Sequence, residues 1–187
     1  MNGTKMLLLA TALVASGLVA GPARAGDFAV YGSYWDTKDL GETAGGGVKF
    51  GFGNGPVRFD LRGTYFPDLS ENFNQLVQDG TGDFKVKALV PEAGVSFNFA
   101  PDSSFQPYLG GGVSYYLLDT NRFNLDNEVG YYGLVGFHAG GAGGGPAFFA
   151  EGLYRSVKGT VRDNDIQNDI DLDLSGVAVN AGVLFRF

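Results

Sequence analysis

V-A-V-N-A-G-V-L-F-R-F, residues Val177 to Phe187, closes the chain. Counting back in twos from the end gives Phe187, Phe185, Val183, Ala181, Val179 and Val177, all apolar. Between them lie Arg186, Leu184, Gly182, Asn180 and Ala178, small or polar except for one leucine. Strict alternation over about ten residues is the mark of a β-strand with one apolar face. A strand that crosses a bilayer in a closed barrel needs this length and this pattern.

The same pattern recurs through the chain. Eight alternating segments run near Phe28–Trp35, Ala44–Phe52, Val57–Tyr65, Lys85–Phe99, Phe105–Leu117, Val129–Ala139, Ala147–Val157 and Leu174–Phe187. Short connections at Gly53–Pro56, Ala100–Ser104 and Gly140–Pro146 alternate with longer ones at Asp36–Thr43, Phe66–Phe84, Leu118–Glu128 and Lys158–Asp173. With both termini on one side of a membrane, the four long connections all lie on the far side. Small membrane barrels show that asymmetry. The expected fold is therefore all-β, an eight-stranded antiparallel up-and-down transmembrane β-barrel. Pro91 falls in mid-strand, where it cannot donate to the ladder, so a bulge is expected there.

The two faces differ in chemistry. On the outward parity, Tyr34, Tyr65, Tyr115, Tyr131 and Tyr154 fall near the outer strand ends, and Phe52, Phe99, Phe105, Phe148 and Phe187 near the inner ends. Two aromatic rings at two depths are the girdles expected where hydrocarbon meets headgroups. The inward parity carries Lys49, Arg58, Asp60, Arg62, Glu92, Glu151, Arg155 and Arg186, with Ser96, Asn98, His138 and Asn180. Glycines such as Gly47, Gly51, Gly94, Gly112 and Gly136 share that face and leave room for long side chains. Eight strands enclose only enough space for side chains. A buried charge without a partner is costly, so these charges are expected to pair across the lumen in one connected network.

The N-terminus carries Lys5, then an apolar run from Met6 to Ala20, then Gly21-Pro22 and Ala23-Arg24-Ala25. This is the three-part plan of a cleaved signal peptide over residues 1–25, and the run is short of the roughly 20 residues that span a bilayer as a helix. The expected mature domain is residues 26–187. Losing Lys5 and Arg24 lowers the basic count from 13 to 11 against 20 acids, a net charge of −9. So acidic a chain is a poor nucleic-acid binder. Without cysteine it has no disulfide, thiolate metal site or cysteine nucleophile.

These features, with Pro107-Tyr108-Leu109-Gly110-Gly111-Gly112-Val113-Ser114-Tyr115 and the terminal phenylalanine, resemble the outer-membrane β-barrel domain family, of the OmpA-barrel and OmpX kind. The resemblance covers the whole mature chain and implies a place in the bacterial outer membrane, exported through the signal peptide. It implies outer-membrane lipids and lipopolysaccharide, the barrel-assembly machinery and periplasmic chaperones as partners, and Phe187 as the insertion signal. No peptidoglycan-binding domain is expected after the last strand. The family hosts adhesins, structural barrels and porin-like proteins. A structural or surface-interaction, adhesin-like role with a closed lumen is expected, with a narrow porin-like conduit for small solutes as the alternative.

A lipid-modifying enzyme is the third reading, and the residues do not favour it. Lipid A deacylases carry His and Ser two apart on a lipid-facing strand; the residue two after His138 is Gly140, and His138 has inward parity. Palmitoyl-transfer barrels use an outer-side histidine, which this chain lacks. His138 is expected to be a lumenal hydrogen-bonding residue. The acidic stretch Asp163 to Asp173 lacks the glycine and glutamate of an EF-hand, so it is expected to be a solvated outer loop, with divalent ions bridging it to lipopolysaccharide as the other possibility. The loop Phe66 to Phe84 carries Phe73, Leu76 and Val77 and is expected to fold over the barrel mouth, or else to form an adhesive tip. No cofactor, resident metal or catalytic residue is expected.

Overall fold

The structure, a computed structural model, describes residues 26–39, 41–53, 55–69, 86–120, 127–141, 145–161 and 170–187. The stretch read as a signal peptide, most of the loop after Phe66 and residues 163–169 of the acidic stretch lie outside the described residues.

Eight strands close into one barrel: β1 (Gly26–Thr37), β2 (Gly41–Phe52), β3 (Val57–Phe66), β4 (Val86–Asn98), β5 (Phe105–Thr120), β6 (Glu128–Gly140), β7 (Ala147–Ser156) and β10 (Gly176–Arg186). Each pairs antiparallel with its sequence neighbour in the wall, and β10 closes the ring onto β1. Between β7 and β10, β8 (Lys158–Val161) and β9 (Ile170–Asp173) pair with each other outside the barrel. The connection expected to be a loop at Lys158–Asp173 is thus strand-paired at its base. The connection expected at Asp36–Thr43 shrinks to residues 38–40, because β1 and β2 both extend to Thr37↔Gly41. That connection is therefore not among the long ones. Among the tight turns at the other end, Gly53 and Gly55 adopt φ values of 123° and 94°, which L side chains rarely reach.

The strands are staggered as a barrel requires. From Asp27 the pairings run through Gly51, Asp60, Gly94, Gly112, Tyr132, Arg155 and Gly176 and return to β1 at Thr37. One circuit therefore climbs ten residues of β1, and closure at that shear tilts the strands against the barrel axis.

Pro91 makes a gap, not the expected bulge. It pairs in register with Gly63 of β3. On the β5 side, Leu89↔Leu117 and Glu92↔Ser114 flank an interval with no ladder pairs. Residues 90 and 91 face 115 and 116, so the missing N–H opens the ladder while neither strand gains a residue.

Alternation sorts the side chains into two environments. Outward positions are apolar and exposed on every barrel strand, among them Val30, Phe52, Phe59, Val95, Leu109, Val135, Phe148 and Val179. A dent in this surface, about 610 Å³, lies over Gly46, Gly63, Pro91 and Ala93. Inward positions fill the lumen in layers. Toward the long connections, Trp35, Phe66, Leu69, Tyr116 and Leu174 form an apolar stack, with Trp35 packed 5.3 Å from Phe66 and 5.8 Å from Tyr116 between ring centroids. Charged residues fill the middle, and a second polar layer closes the end with the tight turns.

Candidate functional site

The middle of the lumen holds five charged side chains from four strands: Lys49 on β2, Arg62 on β3, Glu92 on β4, and Glu151 and Arg155 on β7. All are at most 5 % exposed. Register sets Lys49 beside Arg62, and Arg62 beside Glu92. Two cations side by side on neighbouring strands repel. Glu151 resolves this from across the barrel: Oε1 accepts from Lys49 Nζ at 2.6 Å and Oε2 from Arg62 Nη1 at 2.8 Å. Tyr108 Oη donates to Oε1 at 2.8 Å and Asn180 Nδ2 to Oε2 at 3.4 Å. Glu92 does the same on the other side of Arg62. It accepts from Arg155 Nε at 3.1 Å, Arg155 Nη2 at 3.3 Å and Ser114 Oγ at 3.0 Å, with Arg62 Nε 3.8 Å away. The result is one chain of charges, Lys49–Glu151–Arg62–Glu92–Arg155.

Aromatic rings back the cations. Lys49 Nζ sits 4.4 Å from the Phe149 ring centroid, the Arg62 guanidinium 5.2 Å from that of Tyr132, and the Arg155 guanidinium 5.4 Å from that of Trp35. The ring faces offer a partner where carboxylates run out. Glycine makes the space. A methyl group at Gly136 would lie 2.8 Å from Tyr108 Cζ, one at Gly47 2.5 Å from Tyr31 Cζ, and one at Gly112 2.8 Å from Tyr132 Oη.

Of the eight charges expected in a single network, three do not join it. Arg58 pairs with Asp27 at the start of β1. Asp60 Oδ2 accepts from Ser96 Oγ at 2.8 Å. Arg186 Nη2 donates to Gln106 Oε1 at 2.8 Å. These three lie toward the tight-turn end, where the barrel stagger separates them from the central five. Asp27 and Gln106 escaped the sequence reading because each sits within two residues of a strand start. Tyr31, whose hydroxyl lies 2.7 Å from Thr64 Oγ1, escaped it because inward aromatics run against the polar pattern of that face.

His138 lies in the lumen, 4 % exposed, as its parity implied. Its expected hydrogen-bonding role is not found: neither ring nitrogen has a partner among the described residues. The ring instead stacks against Tyr108, centroids 4.5 Å apart. Among the described residues no group of His, Cys, Asp and Glu could hold a metal ion. On the outer surface, Tyr34, Tyr65, Tyr115, Tyr131 and Tyr154 are exposed toward the long-connection end, and Phe52, Phe99, Phe105, Phe148 and Phe187 toward the other.

No family model matches the sequence, and no curated protein does. Solved structures do. OprG, an outer membrane protein of Pseudomonas aeruginosa, superposes with a TM-score of 0.69 at 16 % identity, over 90 % of this chain and 98 % of that one. Neisserial surface protein A gives 0.59 at 16 %, over 87 % and 96 %. The N-terminal barrel domain of Pseudomonas aeruginosa OprF gives 0.53 at 12 %, over 88 % and 98 %. The closed ring of eight antiparallel strands described above is thus the fold of the small eight-stranded outer-membrane β-barrels.

Proposed function

We propose that this chain is a bacterial outer-membrane protein with a structural or surface-interaction role, whose lumen is sealed rather than conducting. One observation carries the reading: the molecule is inside out relative to a soluble protein. Phe148, Tyr131 and Val135 are each about two-thirds exposed on the outside, while Arg155 and Glu151 are wholly buried inside. An apolar exterior around the full circumference is stable only against hydrocarbon. The central charge chain and the apolar stack above it support the sealed lumen, since eight strands leave little spare width. In this reading both termini face the periplasm, the tyrosine and phenylalanine rings sit at the two interfaces, and outer-membrane lipids and lipopolysaccharide surround the wall. The barrel-assembly machinery and periplasmic chaperones deliver it, with Phe187 as the insertion signal. The role is not enzymatic, and no nucleic acid takes part.

Refolded protein should migrate faster on a gel unboiled than boiled and should give no stable conductance in a planar bilayer. Equal mobility together with solubility free of detergent would overturn the membrane reading. Long-lived channels would overturn the sealed lumen and leave the narrow conduit for small solutes. Deleting Phe187 should lower the amount reaching the outer membrane while periplasmic export continues; unchanged outer-membrane levels would remove its signal role.

A further inference from the structure

We infer that the lumen binds one small monovalent anion, a halide, between Arg155 and Trp35. The charge balance points to it first. The central chain of Lys49, Glu151, Arg62, Glu92 and Arg155 has three cations and two carboxylates, all buried. It therefore carries one positive charge that no member balances. At the tight-turn end the sum is zero, with Arg58 and Arg186 against Asp27 and Asp60. The excess thus belongs to the middle. On the outer side the next inward carboxylate is Glu128, half-buried at the start of β6, opposite Tyr116 in register and so beyond the apolar stack. A buried charge without a partner is costly. The cost is higher still with hydrocarbon around the wall, a step that rests on the membrane reading.

The spare donors show where that charge is met. Arg155 turns Nε and Nη2 to Glu92, at 3.1 and 3.3 Å. Its remaining nitrogen, Nη1, has no acceptor among the described residues. The same guanidinium lies 5.4 Å from the Trp35 ring centroid, and Trp35 Nε1 also has no acceptor among them. Ser33, two residues before Trp35 on the same inward face of β1, has a hydroxyl without a partner among them. Arg155 and Trp35 are wholly buried, and Ser33 is 5 % exposed. A buried N–H left unmet costs stability. Water would satisfy these donors and leave the positive charge standing. A halide answers both. A dianion such as sulfate would overturn the balance and give up far more hydration on entering.

The test refolds the full barrel in detergent micelles over a series of sodium bromide concentrations, with sodium gluconate holding the ionic strength constant. Salt added before refolding reaches the lumen before it closes. Bromide quenches tryptophan on contact, and Trp35, the one tryptophan, is wholly buried from ions in solution. Quenching should saturate at one bromide per barrel. Chloride should reverse it by competition, and sulfate should not. Lys49→Met, at the other end of the charge chain, leaves the chain neutral and should weaken bromide binding about tenfold without touching the site. Arg155→Lys keeps the charge, removes the spare nitrogen and should weaken it too. Lys38→Gln, exposed at the outer rim, should change nothing. Crystals grown in bromide should show an anomalous peak beside Arg155 Nη1. Quenching that never saturates, sulfate competing as well as chloride, or water alone beside Arg155 in those crystals would each overturn the site. Should a variant fail to fold, saturation in the parent and the anomalous peak decide. Equal gel mobility of boiled and unboiled protein would overturn the membrane reading and leave these readouts in force.

Discussion

The middle of the lumen and its tight-turn end use the same side-chain types to different effect. In the middle, each carboxylate is shared between cations of different strands, and every member is buried. At the end, Arg58 keeps 15 % of its side chain exposed, and Asp27 takes that single cation. Removing a partner from a dry, shared site strands two charges; removing one beside water strands one that can rehydrate. The lesson is that parity alone does not tell what a lumenal charge is worth. Depth along the barrel decides it.

The largest effect should come from Glu151→Ala, which leaves Lys49 buried without a carboxylate and Arg62 with only Glu92, 3.8 Å away. A loss of roughly 3–5 kcal/mol is expected, read as a lowered urea midpoint in micelles or vesicles. Glu151→Gln keeps an acceptor for Tyr108 and should lose less. If Glu151→Ala unfolds at the same midpoint as Asp60→Asn near the end, the contrast between the two regions fails. Gly94→Val comes next. Its side chain would enter the space of the Tyr132 hydroxyl, and overpacking of this kind costs about 1–3 kcal/mol. Gly133→Val, on the outward face where nothing lies within 4 Å, should leave the midpoint unchanged. Equal losses at both positions would show that glycine serves backbone bending rather than lumenal space.

The smallest effect belongs outside the barrel. Lys38 Nζ bonds Asp173 Oδ2 at 2.9 Å in the open, and Ser175 N donates to Asp173 Oδ1 at 2.9 Å. The hydrogen bonds from Ser175, then that from Lys38, hold the Asp173 carboxyl well below the usual carboxylate range. A depressed folded value means the contribution is complete above the ordinary aspartate value of about 4 and drains away as pH falls below it. Acidification should therefore leave the NMR signals of residues 38 and 173–175 in place until the pH lies well below the ordinary aspartate value. Asp173→Asn should abolish that late shift without moving the urea midpoint. A lowered midpoint would mean that the outer sheet supports the barrel.

Strand existence and parity were legible because a membrane barrel writes them at period two over ten or more residues. Partners were not, because they depend on a stagger that no single strand records. Arg62 and Lys49 look interchangeable with Arg58 until the register places them under Glu151. The β8–β9 pair escaped because Lys158-Gly159-Thr160-Val161 and Ile170-Asp171-Leu172-Asp173 are four residues each, too short for alternation to separate strand from loop. Trp35 and Tyr116 break the polar pattern of the inward face and Phe66 opens the expected loop Phe66–Phe84, so only the structure shows the three stacked together at one end.

The ten-residue climb around the wall has an arithmetical consequence for sequence change. Paired residues always share a face, so one circuit must return to β1 an even number of residues along. A single-residue insertion or deletion inside any barrel strand makes the return odd. It would set the charged face of one strand beside the apolar face of its neighbour somewhere on the ring. Two-residue changes keep the parity, and the connections absorb changes of any size. Length variation in this chain is thus constrained: within strands it comes in twos, or singly only where a bulge takes up the odd residue.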